Sequence, residues 1–354
     1  MPVRSEYYSL LNKYNPKPTN FRTGVSDFPF HTDSFVTLNF GNSTTIRCKI
    51  TKSTTPTSSK LFYKYNAKYV SIDNPSATAT ATDSIVTKEI TPLVDHTIKV
   101  KALQRFDTDQ IIEVIDDKGK IAGKMHLVSH KLMGDIKILL VNCKTNIYGT
   151  TINEGLPSGN HSKVEEILTN FLNQIYLKPT FKHETLDLAT ASTAKTNFNN
   201  NHVFPTLPII KSTNIMFQDC VNLLTDSDKA ASMVLLFFDD YGAVVKADGT
   251  KGVGLGGEAY ALGGAQGARI FTSGILGNTI AHEALHSLGL YHTFDIDGEF
   301  TFRQTQNSAT STDFADGTDN VMDYFYTDSK RKFIWMWQMK KVYDTNNNAK
   351  IKRK

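Results

Sequence analysis

Residues 280–294, "IAHEALHSLGLYHTF", set three histidines and a glutamate on an otherwise apolar run. Read as a helix, this stretch sends the imidazoles of His282 and His286, four residues apart, from one face about a turn apart, with Glu283 beside them. Ile280, Leu285 and Leu288 can then face a core. Gly289 stops the helix, because glycine takes the left-handed C-terminal conformation at little cost. The chain doubles back there and lets His292 deliver a third nitrogen. Three neutral imidazoles on one Zn²⁺, with a fourth position open for water, make a catalytic rather than a closed structural site. The alternative is a helix that merely carries histidines. With 10 histidines in 354 residues, HExxH alone arises in roughly one such chain in a hundred. Requiring Gly289 and His292 as well lowers this to about one in tens of thousands, which decides for the metal.

Around that motif the chain changes character once. Between residues 34 and 144, "FVTLNF", "TTIRCKI", "KLFYKYN", "HTIKVKAL", "QIIEVID", "KIAGKMHLV" and "DIKILLVNC" are rich in β-branched and aromatic residues, and several alternate with a period near two. "DDKGK" is a hairpin turn with Gly119 at its tight position. These segments read as an all-β, sandwich-like domain of the kind used for docking. "NIYGTTINEGLPSGN", residues 146–160, has little core material, so the boundary is placed there: residues 1–148, then residues 149–354. Beyond it, Ser162 and Glu165 spell a capping box before Val164, Ile167, Leu168, Phe171 and Ile175 at helical spacing. "TFKHETLDLA" reads as a strand, the asparagine-rich stretch near Phe198 as a loop, and residues 214–225 as a helix. "SMVLLFFDD" reads as a buried central strand. Residues 249–267 hold eight glycines and suggest a loop with an edge strand. No G-K-[ST] follows them, which argues against a phosphate-binding loop. "KRKFIWMWQMKKV" predicts a C-terminal helix packing Phe333, Ile334, Met336 and Trp337 on the core.

"HEALHSLGLYH" resembles the HExxHxxGxxH signature of the metzincin zinc peptidases, and "LGLYHTF" followed by "NVMDY" is most similar to their pappalysin-like bacterial members. That clan carries a methionine turn downstream, matched here by Met322 in "TDNVMDYF". The resemblance spans residues 162–343 and is specific at residues 281–294 and around Met322. It implies an α+β fold in which a metzincin-like peptidase domain, a twisted sheet plus a zinc-binding helix, follows the β-rich domain. It further implies that Met322 forms an apolar floor beneath the metal without ligating it, and that Tyr324, in an M-x-Y arrangement, approaches the zinc or the substrate oxyanion. The implied activity is peptide-bond hydrolysis with one catalytic Zn²⁺, Glu283 acting as general base. Upstream of the zinc helix the metzincin plan has a sheet edge onto which an extended peptide can add. Residues 260–271 occupy that place, and Gly263, Gly264 and Ala265 are small enough for a backbone to approach. Cys48 stands in "IRCKI", with no match to a prodomain switch.

Other features read as structural. A net charge of +4 from 39 basic and 35 acidic residues does not suggest a nucleic-acid or anionic-membrane partner. The tail "KIKRK" is taken as a solvated terminus. Three scattered cysteines, Cys48, Cys143 and Cys220, form neither a disulfide framework nor a metal knuckle. Asp239 and Asp240 read as a solvated turn. Asp295, Asp297 and Glu299 could seat Ca²⁺, yet no EF-hand glycine or distal glutamate supports it. His161, His183 and His202 lack ligand spacing. No apolar run reaches the roughly 20 residues of a membrane span, and the first residues lack a secretory h-region. The expectation is delivery outside the producing cell by a route without a cleaved leader, a cytoplasmic protein staying open. Partners are a protein or peptide substrate and a docking partner for the first domain. Two rivals stand beside a general protease: a narrow-target toxin or effector, and an inactive binding module of the same fold, against which the intact Glu283 argues.

Overall fold

A computed structural model of the chain describes residues 34–48, 50, 60–74, 76–78, 82–91, 93–147, 149, 151–156, 158–190, 192–275, 277–292, 320–322, 334, 336–345 and 351–353. The chain divides into two compact units, one ending at Met133 and the next beginning at Gly134. This differs from the boundary expected after residue 148. The strand Gly134–Thr145, which contains "DIKILLVNC", pairs along its length with a strand of the second unit and belongs to that unit's sheet.

The first unit contains the strands β1 (Ser34–Val36), β2 (Ser43–Cys48), β3 (Leu61–Asn66), β4 (Val70–Ile72), β5 (Ile85–Glu89), β6 (His96–Ala102), β7 (Gln110–Asp116) and β8 (Ile121–Leu127). They form a five-stranded sheet, β1-β8-β7-β3-β5, and a three-stranded sheet, β2-β6-β4. Along β6, buried Ile98, Val100 and Ala102 alternate with exposed Thr97 and Lys99, the period of two that turns one face inward. Those residues share one core cluster with Tyr63, Ile112 and Leu127 of the larger sheet. The "DDKGK" turn joins β7 to β8, and Asp116 Oδ1 accepts from the backbone N–H groups of Lys118 and Lys120.

The second unit is mixed α and β. In chain order it contains β9 (Gly134–Thr145), α1 (His161–Asn173), β10 (Leu177–Leu188), α2 (Thr193–His202), β11 (Ile210–Ser212), α3 (Asn214–Asn222), α4 (Asp226–Lys229), β12 (Met233–Phe237), β13 (Gly242–Val245), β14 (Lys251–Leu255), β15 (Gly257–Ala259), β16 (Gly267–Ile270), α5 (Thr279–Ser287), α6 (Met336–Thr345) and β17 (Lys352–Arg353). The main sheet runs β10-β9-β12-β16-β15. Its first four strands are parallel, and β15 closes the edge antiparallel to β16. All five residues of β12 are buried, as expected of a central strand covered on both faces. Val234 and Leu236 join Leu139, Val141, Phe198, Met216 and Phe217 in a cluster with α2 and α3. Burying one such Leu or Phe contributes roughly 1.5–3 kcal/mol. Helix α5 packs on β12, β15 and β16 and against α1.

Four local expectations change. Helix α1 begins at His161 after a 3₁₀ turn, with Asn160 at the cap position and no side-chain cap, so Ser162 lies inside the helix rather than capping it. The asparagine-rich stretch is helical: Ser192 Oγ accepts from Lys195 N–H, and buried Phe198 and His202, one turn apart, anchor α2. In the tail, Lys352–Arg353 pair antiparallel with Asp135 and Gly134, where β9 is not yet paired with β12, and Ile351 is buried. Asp240 is buried rather than solvated, accepting from Thr145 Oγ1 and Asn153 Nδ2. Burial pushes its carboxyl above the ordinary range against those two donors. In α6 the described buried residues are Gln338, Met339, Val342 and Tyr343, and Ile334 is half-buried. The expected Phe333, and the side chains of the expected Met336 and Trp337, lie outside what is described. No helix among the described residues is long and apolar enough to cross a membrane.

Candidate metal centre

Residues Ile280 to Ser287 of α5 are all buried, and the two ligand candidates on this helix, His282 and His286, are 3% and 8% exposed. The helix ends as its sequence requires. Gly289 has φ +94°, its N–H donates to His286 O (2.8 Å), and Leu290 N–H donates to Leu285 O (3.1 Å). That double bond pattern is a Schellman stop, with buried Leu290 and Leu285 as its apolar pair. The reversal brings His292 back to the helix. A methyl group at Gly289 would lie 2.6 Å from Cγ2 of Thr345 on α6. Gly289→Ala thus adds a contact to a left-handed penalty of about 1–2 kcal/mol. The expected outcome is a lower midpoint in thermal unfolding together with weaker metal binding, since His292 is delivered by this turn.

The three Nε2 atoms converge. They are 3.1 Å apart for His282 and His286, 3.1 Å for His286 and His292, and 3.3 Å for His282 and His292. Two nitrogens held at 2.0–2.1 Å from one tetrahedral ion would be about 3.3–3.4 Å apart, so the triangle fits Zn²⁺. Protonation supports the same reading. His282 Nδ1 lies 2.9 Å from Val321 O, and His286 Nδ1 lies 2.6 Å from Leu290 O. A carbonyl only accepts, so both Nδ1 atoms carry the proton and, in the neutral rings, both Nε2 atoms present lone pairs to each other. Lone pairs facing each other at this distance repel unless a cation lies between them. Among the described residues, this is the one set of three His, Cys, Asp or Glu side chains with ligand atoms so close together.

Glu283 is buried beside this triangle, and a Cβ at Gly257 of β15 would lie 2.9 Å from its Cγ. The glycine lets the edge strand run close to the glutamate. Ser287 Oγ donates to Gly267 O (2.8 Å), tying α5 to β16. Met322 is buried, and its N–H donates to Asn320 Oδ1 (2.9 Å), closing a tight turn. Val321, inside that turn, is the residue whose carbonyl receives His282. Tyr324, Asp295, Asp297 and Glu299 lie outside the described residues.

Gly263, Gly264 and Ala265 are placed elsewhere than expected. All three have positive φ, and the N–H groups of Gly263 and Ala265 donate to His286 O and Ser287 O. They cover the C-terminal end of α5, so those two N–H groups are not offered to a substrate strand. The sheet edge is Gly257–Ala259, which pairs with β16 on one side. His161 and His183 stack at 4.4 Å, and His202 bonds Asp219 at 2.9 Å, and none of them belongs to the triangle. Cys48, Cys143 and Cys220 are free thiols, and burial pushes those of Cys143 and Cys220 up. Sequence reasoning missed the carbonyls of Val321 and Leu290. The signal for them was position: one adjoins Met322, the other follows the helix stop.

No family model matches the chain, and no curated protein does. Among solved structures, the crystal structure of metalloproteinase-II from Bacteroides fragilis is similar at 13% identity, covering 67% of this chain and 82% of that one, with a TM-score of 0.29. Overlap this loose carries nothing about the site, whose chemistry stands on its own residues.

Proposed function

We propose that the chain is a zinc-dependent endopeptidase of metzincin type. The observation that carries the reading is the triangle of Nε2 lone pairs, two of them oriented by backbone carbonyls, with a buried glutamate next along the helix. His282, His286 and His292 would hold Zn²⁺, which when bound supplies Lewis acidity and lowers the pKa of water to roughly 7. Glu283 takes the proton of the attacking water and passes it to the leaving amine. Its Cγ lies where Gly257 makes room, which seats the side chain against the sheet edge. Strand β15 binds the substrate by main-chain pairing, so that the scissile bond lies along the edge nearest Glu283. Met322 closes the floor of the site, and Tyr324 carries the oxyanion role that the resemblance implies. The first unit, with its own core, serves as a docking module.

Purified protein should contain about one zinc per chain by elemental analysis, removable by chelation and restored on adding Zn²⁺. A folded preparation that carries none and takes up none would end this reading.

A further inference from the structure

Helix α6 touches three pieces of the metal centre while supplying none of the three histidines. Thr345 packs on Gly289, Lys341 Nζ lies 5.9 Å from the Tyr291 ring next to His292, and Gln338 reaches the turn that holds His282. The last contact is the most specific. Gln338 and Asn320 are both fully buried, and their amides face each other: Asn320 Nδ2 donates to Gln338 Oε1 at 2.7 Å, and Gln338 Nε2 donates back to Asn320 Oδ1 at 3.4 Å. Asn320 Oδ1 also accepts Met322 N–H. One asparagine therefore ties the turn to itself and to α6, and the turn presents Val321 O to His282 Nδ1.

We propose that Gln338 and Asn320 are positioning residues for the metal: through the turn they hold the Val321 carbonyl that fixes the tautomer and ring orientation of His282. The proposal rests on the zinc reading above. The chain of contacts runs from Gln338 to Asn320, to the 320–322 backbone, to His282 Nδ1–H, and so to the Nε2 lone pair. Buried amides paired on both sides make this a rigid link, because breaking the pair costs hydrogen bonds at fully buried atoms. Groups that orient a metal-bound histidine typically change metal affinity by about 10–100-fold when lost.

The test uses the full chain and Zn²⁺ in competition with a chelator of known affinity. Gln338→Leu and Asn320→Ser break the link from opposite ends; the serine can still accept Met322 N–H but is too short for Gln338. Each is expected to weaken zinc binding about 10–100-fold. Gln338→Glu, entering this fully buried position as the neutral acid, keeps a carbonyl acceptor for Asn320 Nδ2–H and a hydroxyl that can donate to Asn320 Oδ1, and is expected to stay within about threefold of the parent. The thermal midpoint of the metal-free protein separates the alternatives. A purely structural pair would lower that midpoint in both broken variants and leave their zinc affinity unchanged, which would overturn the proposal while the zinc reading stood. Failure of both broken variants to fold would overturn it too, assigning the pair to the fold. A parent protein that takes up no zinc would remove the reading beneath it.

Discussion

Glu283→Gln is expected to leave zinc content unchanged and to cut peptide hydrolysis by about 10²–10⁴-fold, the usual contribution of a positioned general base. Glutamine keeps the shape of the side chain, so its Cγ can still pack where Gly257 makes room. It cannot take a proton at neutral pH. The three Nε2 atoms of the triangle belong to histidines on either side of Glu283 in sequence, so the substitution removes no nitrogen from the set. His286→Ala supplies the contrast: it should lose both metal and activity, because two remaining nitrogens hold Zn²⁺ far more weakly than three. The measurement is kcat/KM on a mixed peptide substrate, with products identified by mass spectrometry and zinc determined on the same samples. Turnover by Glu283→Gln equal to the parent's would remove Glu283 as the base.

The histidine triad was legible because its physics is local. A four-residue helical spacing and a glycine stop can be read without knowing any neighbour, and the structure brings His282, His286 and His292 within 3.3 Å of one another. The central strand was legible for the same reason, as a continuous apolar run. The unit boundary was not. Strand β9 has the composition of the β-rich segments before it, and only its parallel partners reveal which sheet it joins. Composition also misled at Gly263 and Gly264. Glycines that let a substrate backbone approach and glycines that let a chain turn over a helix end look alike in a sequence, while Gly257, which does lie at the sheet edge, is one more in the same run. The helix at Thr193–His202 overrode a poor intrinsic propensity through one cap and two buried anchors. Gln338 was invisible because a buried amide has no signature of its own; its partner is 18 residues away in the chain.

Gly267→Ala is expected to remove most of the stability of the second unit, more than about 4 kcal/mol, because strain and overlap arise together. Gly267 begins β16 at φ +131°, a conformation closed to a side chain, and a Cβ there would overlap the carbonyl oxygen of Val234 on the central strand. That oxygen is backbone in a strand buried on both faces, so it cannot move aside without breaking the β12–β16 pairing. The effect reaches the histidine triangle through Gly267 O, which accepts from both Tyr260 N–H and Ser287 Oγ of α5. Displacing the strand therefore shifts the seat of α5 as well as the sheet. Chemical denaturation with and without Zn²⁺ checks this. Metal bound only by the folded state adds stability as its concentration exceeds its dissociation constant, about 2.7 kcal/mol at a hundredfold excess. Gly289→Ala, whose new methyl meets a threonine side chain rather than backbone, should be restored by that increment. Gly267→Ala should not be, and its recovery to the parent's denaturation midpoint on adding Zn²⁺ would show that the sheet yields more readily than this close packing allows.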